Sequence, residues 1–317
     1  MSCHPNEIRI FFYDQSRTLL LIGLLAGLLS NAGCQSLHPF AQKTRNSLTA
    51  ARQWASGGLD AFHKGRLEQA KGLLSRAVEH NPNDASAREN LARTLQKSGE
   101  TQQAIVQMQY AVELSNGDPR LLVELGEMYL SVGQLLHACE QAELALDADH
   151  RNAAAWALMG KTKKAKRQYP EALADFQHAL GIAPDLPGVQ MQIVDTYHKN
   201  GQPHRALSAV EQILIKYPAD ELPEQAVLAK SVALIDLDHL RPAIDLLQTA
   251  SEKEHVSSEV FVRLGQAQLL ANQPSDARAT LIRGQQVFPN LVVFDQLVAE
   301  LQSAEQRVAS ADSLIAR

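Results

Sequence analysis

One segment of the sequence has the spacing of a phosphate-binding loop. Ala155 is followed by four residues and then by Gly160, Lys161 and Thr162. A working loop of this kind needs flexible glycines after a strand, so that backbone amides can curl around the phosphates. The four intervening residues here are Trp, Ala, Leu and Met, and the segment falls within a predicted helix. The sequence therefore predicts no nucleotide or other cofactor at this segment.

Other residues capable of chemistry are too scattered to form a recognisable site. The 11 histidines include no His-Glu-x-x-His pair, and no cysteine pair completes a metal shell. Neither a Gly-x-Ser-x-Gly elbow nor a Gly-x-Gly-x-x-Gly turn occurs. Cys139 stands at an apolar packing position, which predicts a buried thiol and not a nucleophile. We therefore expect no catalytic, metal-binding or cofactor-binding residues and no enzyme activity.

The densest local charge is a basic run made of Lys161, Lys163, Lys164, Lys166 and Arg167. Cations near the end of a helix complement the helix dipole, so one interpretation is a solvated helix end. The other interpretation is a docking patch for an acidic partner or for anionic lipid heads. The sequence leaves both open.

The composition excludes several classes of protein. Lys and Arg number 30 against 35 Asp and Glu, and this net charge of −5 gives no general attraction to nucleic acid. Hydrophobic residues make up 45% of the 317 residues and charged residues 21%, which argues against a disordered chain. Three cysteines are too few for a disulfide framework or a four-cysteine zinc site. Side-chain packing must therefore hold the fold.

The N-terminus has the pattern of an export signal. Residues 18–29 run without a charge, and as a helix they would extend about 18 Å, well short of the roughly 30 Å hydrocarbon core of a membrane. This length predicts a signal peptide over residues 1–33 and not a membrane span. Small residues then precede Cys34, an arrangement that resembles the bacterial lipoprotein signal.

This resemblance implies that Cys34 is lipidated and becomes the mature N-terminus. Gln35 follows in place of an aspartate, which by resemblance points to an outer-membrane lipoprotein facing the periplasm. Residues 34–50 would then be the lipidated N-terminus and a flexible tether. Asn31 stands where the family usually has leucine. The alternative is an ordinary secreted protein, or an uncleaved anchor with an incidental cysteine.

From residue 51 onward the sequence repeats with a fixed period. Five alanines are separated by four successive intervals of 34 residues: Ala70, Ala104, Ala138, Ala172 and Ala206. A small residue stands twelve positions before most of them, as at Gly58, Ala92, Gly126 and Gly160. A 34-residue period is typical of stacked helical hairpins.

The pattern resembles the tetratricopeptide repeat, most closely over residues 153–186. The predicted units are 51–84, 85–118, 119–152, 153–186, 187–220, 224–257 and 258–291. The resemblance implies an all-α, right-handed superhelical solenoid of about seven helix-turn-helix repeats. Apolar spacing in residues 292–317, including Val293, Leu297 and Leu301, predicts a C-terminal capping helix over the last repeat.

Family geometry directs certain positions of each first helix toward a concave groove. In this sequence those positions form a predicted partner-binding set of ten charged residues: Glu89, Arg93, Lys97, Arg120, Glu124, Glu127, Lys161, Lys164, Asp195 and Lys199. Apolar residues follow in the C-terminal repeats: Leu228, Val232, Ile235, Val262 and Leu269. The resemblance thus implies a groove with mixed charge at its middle and a more apolar C-terminal half.

The predicted function is a non-catalytic scaffold that binds a protein or peptide segment in this groove. By resemblance it is an envelope lipoprotein that assists the assembly of a periplasmic or outer-membrane complex. The alternative is a soluble exported chaperone or adaptor without a membrane anchor. Neither hypothesis involves nucleic acid or a small-molecule substrate.

Overall fold

The computed structural model describes residues 38–218, 221–299 and 301–302, and in this part of the chain α-helices are joined by short turns without a strand. The predicted all-helical architecture is confirmed. Residues 1–33 and Cys34 lie outside the described residues. In chain order the helices are α1 (His38–His63), α2 (Leu67–His80), α3 (Ala85–Lys97), α4 (Thr101–Leu114), α5 (Pro119–Ser131), α6 (Leu135–Ala148), α7 (Ala153–Ala165), α8 (Tyr169–Ile182), α9 (Pro187–Lys199), α10 (Pro203–Leu214), α11 (Glu224–Asp236), α12 (Leu240–Ser251), α13 (Ser258–Leu270) and α14 (Pro274–Val287).

The chain divides into two compact units at residue 83. In the first unit α1 and α2 pack together as a hairpin, with Ala61, Ala70 and Leu74 buried between them. Gly58 allows this close packing, because a Cβ at that position would lie 2.6 Å from the Leu74 side chain. A single hairpin buries little apolar surface, so small residues at the crossing matter for its stability.

The sequence predicts a flexible tether over residues 34–50, whereas in the structure residues 38–50 form the first turns of α1. Pro39 lies in the first helical turn, where its missing amide donor has no intrahelical partner to lose. No other proline or glycine follows before Gly57. Extending an existing helix costs little, since each added residue gains a hydrogen bond. Ser47 Oγ also donates to the His80 carbonyl oxygen at 3.3 Å, which ties this extension to α2.

The second unit is a row of six helical hairpins in its described residues, from α3/α4 to α13/α14. Within the unit each helix packs against the helices before and after it in the sequence. Successive first helices from α5 to α13 also contact one another. One hairpin alone leaves an apolar face bare, and the next hairpin covers it. The first helices therefore form one continuous face of the unit.

Small residues set the spacing within and between these hairpins. Alanines of the 34-residue series, such as Ala104, Ala138 and Ala172, are fully buried at the crossings. A Cβ on Gly160 would lie 2.7 Å from the Phe176 ring of the same hairpin. A Cβ on Gly126 would collide with Leu158 of the following hairpin. The predicted role of small residues at the crossings is thus seen in the packing.

One position in each hairpin turn adopts a left-handed backbone conformation. Its φ lies between 57° and 83° at Gly65, Gly99, Gly133, Arg167, Gly201, Asp238 and Asn272, which follow one another by one repeat. Glycine adopts this conformation freely, whereas other residues incur roughly 1 kcal/mol of strain. Arg167, the last member of the basic run, is therefore a turn residue.

Residues 292–299 and 301–302 are helical and cover the last hairpin. Phe294 and Leu301 are buried against Phe261 and other core residues of α13 and α14. Val293, which the sequence assigned to the packed face, is exposed, so that assignment was wrong by one residue. The cause is Gly284, which has no side chain and so leaves space for the Phe294 ring. A Cβ at this position would lie 2.5 Å from that ring. Residues 303–317 lie outside the described part.

These contacts predict opposite effects of alanine at two glycines of one hairpin. Gly160→Ala would place a methyl group against the Phe176 ring, and we expect it to lower the free energy of unfolding by about 1–3 kcal/mol. Gly181→Ala, in α8, meets no atom within 4 Å and should stabilise by up to about 1 kcal/mol. Urea unfolding followed by circular dichroism measures both changes. Equal effects of the two substitutions would contradict this packing.

Candidate partner-binding face

The ten charged residues predicted to face a partner all lie on first helices, namely α3, α5, α7 and α9. Nine of them pair with one another, and we call these nine the charge ladder: Glu89, Arg93, Arg120, Glu124, Glu127, Lys161, Lys164, Asp195 and Lys199. The tenth, Lys97, lies exposed in the last turn of α3. The sequence placed these residues on the face but did not predict that they pair between repeats.

The first step of the ladder joins α3 to α5. Arg120 donates to both carboxylate oxygens of Glu89, at 2.6 and 3.0 Å, and also to Glu124 at 3.0 Å. Arg93 donates to Glu124 from two nitrogens and lies 2.8 Å from Glu89. The hydrogen bonds that Arg120 donates to Glu89 raise the pKa of Arg120, and those that Arg93 donates to Glu124 raise the pKa of Arg93. Two arginines and two carboxylates thus neutralise each other.

The ladder continues along α7 and α9. Lys161 Nζ lies 2.7 Å from Glu127 Oε1 across the α5/α7 boundary. Lys164 Nζ lies 2.7 Å from Asp195 Oδ2, and Lys199 reaches the same oxygen at 3.1 Å. Burial acts to raise the pKa of the Asp195 carboxyl, but the two lysines outweigh it and hold the pKa below its ordinary value.

The 34-residue period explains this pairing. Residues 34 apart occupy equivalent positions on neighbouring first helices. Residues 31 apart lie about one helical turn away from equivalent positions, so their side chains can still meet. Glu127 pairs with Lys161 at a separation of 34, whereas Glu89 pairs with Arg120 at a separation of 31. The ladder holds five cations and four carboxylates, so its charge is nearly cancelled within the protein. Little of it is left to attract a charged partner.

The basic run is also largely occupied by contacts within the chain. Lys161 and Lys164 belong to the ladder, Lys163 lies 2.7 Å from the buried Asp175, and Arg167 forms the hairpin turn. Burial raises the pKa of the Asp175 carboxyl despite the hydrogen bond from Lys163. These contacts favour the interpretation of the run as a helix end and weaken its interpretation as a docking patch.

The segment with phosphate-loop spacing lies inside α7. Thr162 is fully buried, and its hydroxyl donates to the Leu158 carbonyl oxygen at 2.9 Å. Gly160 packs against Phe176, and Lys161 pairs with Glu127. The residues that would cradle a phosphate are therefore used in helix packing and in the ladder.

Where the ladder ends, the first-helix face opens into a cleft of about 480 Å³ between α9, α11 and α13. Its apolar wall consists of Val232, Ile235, Leu269 and Leu270. Its polar wall consists of His198, Asp236, Arg263 and Gln266. His198 Nδ1 lies 2.7 Å from Asp236 Oδ2. We call this feature the C-terminal cleft.

The predicted apolar C-terminal half is thus present in part. Val232, Ile235 and Leu269 line the cleft, but Leu228 and Val262 pack into core clusters instead. The sequence missed Leu270, which is 62% exposed. A single-residue uncertainty in helix register accounts for these errors, since one residue rotates a side chain by about 100°.

Within residues 38–218, 221–299 and 301–302, no group of three or more His, Cys, Asp or Glu is arranged to hold a metal ion. None of the helices described is long and apolar enough to span a membrane. Cys139 is buried, 3.8 Å from Met159 Sδ.

The pairing of Asp195 predicts a pH-dependent contribution to stability. A carboxylate whose pKa falls on folding stabilises the folded protein at pH values above its unfolded pKa of about 4. It loses that effect as the pH falls through the folded pKa. Because the side chain is 39% exposed, Asp195→Asn should lower the free energy of unfolding at pH 7 by at most about 1 kcal/mol. Its difference from wild type should shrink below about pH 4.

Asp185→Asn is the matched control for this prediction. The Asp185 side chain is almost fully exposed, 4.0 Å from Lys216, so its removal should change stability by only a few tenths of a kcal/mol. Urea unfolding at several pH values measures both variants. A difference for Asp195→Asn that did not depend on pH would contradict the charge-pairing explanation.

Known proteins share the repeat and the fold. Two family models described as tetratricopeptide repeat match residues 61–108 and 153–186. The chain is 30% identical to mouse (Mus musculus) DnaJ homolog subfamily C member 7 over 105 residues, which are 33% of this chain and 21% of that protein. The chain therefore spans about a fifth of the length of this curated relative.

Solved structures extend the likeness to most of the chain. A crystal structure of a tetratricopeptide repeat protein from Parabacteroides merdae covers 80% of this chain and 99% of its own, with a TM-score of 0.65 and 14% identity. Yeast Tom70 covers 87% of this chain and 57% of its own, with a TM-score of 0.58 and 14% identity. At these identities the likeness concerns the fold alone. The chain therefore contains tetratricopeptide repeats and has the all-α fold of a repeat solenoid.

Proposed function

We propose that this protein is a non-catalytic scaffold that binds a segment of another protein along the first-helix face. Tetratricopeptide-repeat proteins bind protein or peptide partners, and this chain has their fold. The observation that carries the proposal is the C-terminal cleft, where apolar side chains are exposed next to polar ones. Exposed apolar surface of this kind is typical of interaction sites.

Because the charge ladder is already paired, the partner's strongest contacts form in this cleft. A carboxylate or ammonium group that joined the ladder would have to replace an ion pair the protein already makes, so it would gain little. In the cleft, by contrast, burying Leu269 and Leu270 removes apolar surface from water. The segment that fits the cleft is apolar at its centre, with polar groups that reach His198 and Arg263.

We further propose that the scaffold is an outer-membrane lipoprotein facing the periplasm, held by lipid on Cys34, and that it assists the assembly of an envelope complex. The support for this part is the signal-like sequence over residues 1–33 and the small residues before Cys34. A soluble exported adaptor is the second candidate, favoured by Asn31 in place of the usual leucine.

Photocrosslinking tests the binding site. With benzoylphenylalanine in place of Leu269, we expect a discrete adduct with an envelope protein, because this position lies in the cleft. The same probe in place of Thr249, an exposed residue of the second helix α12, is the control and should give no such adduct. Val232→Asp should reduce the Leu269 adduct at least about tenfold, since it buries a charge against apolar groups. Equal adducts at both probe positions would contradict the site.

Labelling with a fatty-acid analogue tests the anchor. We expect label on the wild type and on Cys139→Ala, and loss of label with Cys34→Ala, because only Cys34 follows a lipoprotein-like signal. Mass spectrometry of the mature N-terminus checks the position. Label that persisted in Cys34→Ala would contradict the anchor, and an unlabelled wild type would favour the soluble adaptor.

A further inference from the structure

The second helices α4 and α6 carry an exposed apolar surface that the first-helix face does not use. Val106, Tyr110 and Leu114 are spaced four residues apart on α4, so they lie on one side of that helix. On α6, Leu136 is 69% exposed and Leu144 51%. We call these five residues the apolar stripe. Scattered exposed apolar residues are ordinary, but a stripe at helical spacing on two consecutive hairpins is not.

The repeat itself shows that this register need not be apolar. The residues of α10 and α12 that correspond in the 34-residue pattern are polar and exposed: His204, Ser208 and Gln212 on α10, and Arg241, Asp245 and Thr249 on α12. Since every hairpin must form the same internal packing, the apolar residues of α4 and α6 are not required by the fold. They are therefore free to serve a contact outside the hairpin.

Side chains from α4 and α6 meet on one residue of the helix between them. Gln109 Nε2, next to Tyr110, donates to the Tyr129 hydroxyl at 2.7 Å. The ring of His137, next to Leu136, stacks on the Tyr129 ring with centroids 5.0 Å apart. Tyr129 belongs to α5 and is itself buried. Gln109 and His137 thus both contact Tyr129, which places the parts of α4 and α6 next to Tyr110 and Leu136 near one another.

This surface is acidic, and its acids differ from those of the charge ladder. Neither α4 nor α6 contains a lysine or an arginine, whereas Glu113, Glu140 and Asp147 are exposed on them. Within the described part of the chain none of these three carboxylates lies in an ion pair, although each ladder carboxylate does. An arginine of α3, Arg88, lies over the Tyr110 ring at 4.5 Å. The surface therefore already accommodates a guanidinium.

We propose that the apolar stripe is a second docking surface, and that its partner is a basic amphipathic helix of another protein. Apolar residues at helical spacing on the partner would cover the stripe, while its lysines or arginines would pair with Glu113, Glu140 and Asp147. A second copy of this chain fits poorly, because two stripes face to face would oppose acid to acid. An anionic membrane is repelled by the same charges.

A synthetic helix of leucine and lysine, with leucines at i, i+3, i+4 and i+7, is the probe. Fluorescence anisotropy measures its binding to the full chain in zwitterionic nanodiscs, with empty nanodiscs as the blank. We expect Tyr110→Ser combined with Leu144→Ser to weaken binding at least about tenfold, because both side chains are exposed anchors of the stripe. Glu140→Lys should weaken it by a similar factor, and thermal unfolding should show both variants folded.

Matched variants make the test specific. Asp245→Lys reverses the charge at the position of α12 that corresponds to Glu140. Gln212→Ser changes the position of α10 that corresponds to Tyr110 and Leu144. Neither variant should alter the Kd of the peptide by more than about twofold. Leu269→Ser, in the C-terminal cleft, should leave peptide binding unchanged, which separates this surface from the one proposed for the main function.

Three results would overturn the proposal. One is equal binding of a peptide with the same composition in shuffled order. Another is an equal loss of binding in Asp245→Lys and Glu140→Lys. The third is self-association in sedimentation velocity that Tyr110→Ser abolishes, because it would assign the stripe to a second copy of the chain.

Discussion

A helical hairpin of this length has more apolar surface than its own two helices can cover. The rest of the second unit depends on this constraint, because each hairpin must lean on the next to remove its apolar face from water. The close approach this requires explains the buried alanine series and the two glycines, Gly126 and Gly160, that no side chain could replace without displacing Leu158 or Phe176. Packing determines which residues are buried, whereas the exposed residues of the first-helix and second-helix faces can vary.

The two outer faces use charge in different ways. On the first helices, acids and bases one repeat apart are brought within hydrogen-bonding distance, so the charge ladder neutralises itself and links neighbouring hairpins. On the second helices α4 and α6, acids such as Glu140 lie beside apolar residues with no lysine or arginine on the same helix. The first arrangement contributes to the stacking of the solenoid, whereas the second is suited to a partner.

The sequence predicted the helical hairpins well because the 34-residue period reports packing, which is a property of the chain itself. It located the charged residues of the face, yet it treated them as available to a partner. Pairing between repeats depends on how helices separated by a whole hairpin align in space, and residue types alone do not give that alignment. Register errors at Val293 and Val262 arose because one residue turns a helix face by about 100°. The turn role of Arg167 was readable from the glycines one repeat away, Gly133 and Gly201.

Amide hydrogen exchange on a Gly126→Val variant tests most directly whether hairpins support one another in sequence order. Valine at this position would strike Leu158 of the following hairpin. We expect loss of protection that is greatest in α5 to α8 and decreases toward α13 and α14, because each hairpin supports its neighbours. Protection lost to the same extent throughout the second unit, or lost in α5 alone, would contradict this expectation.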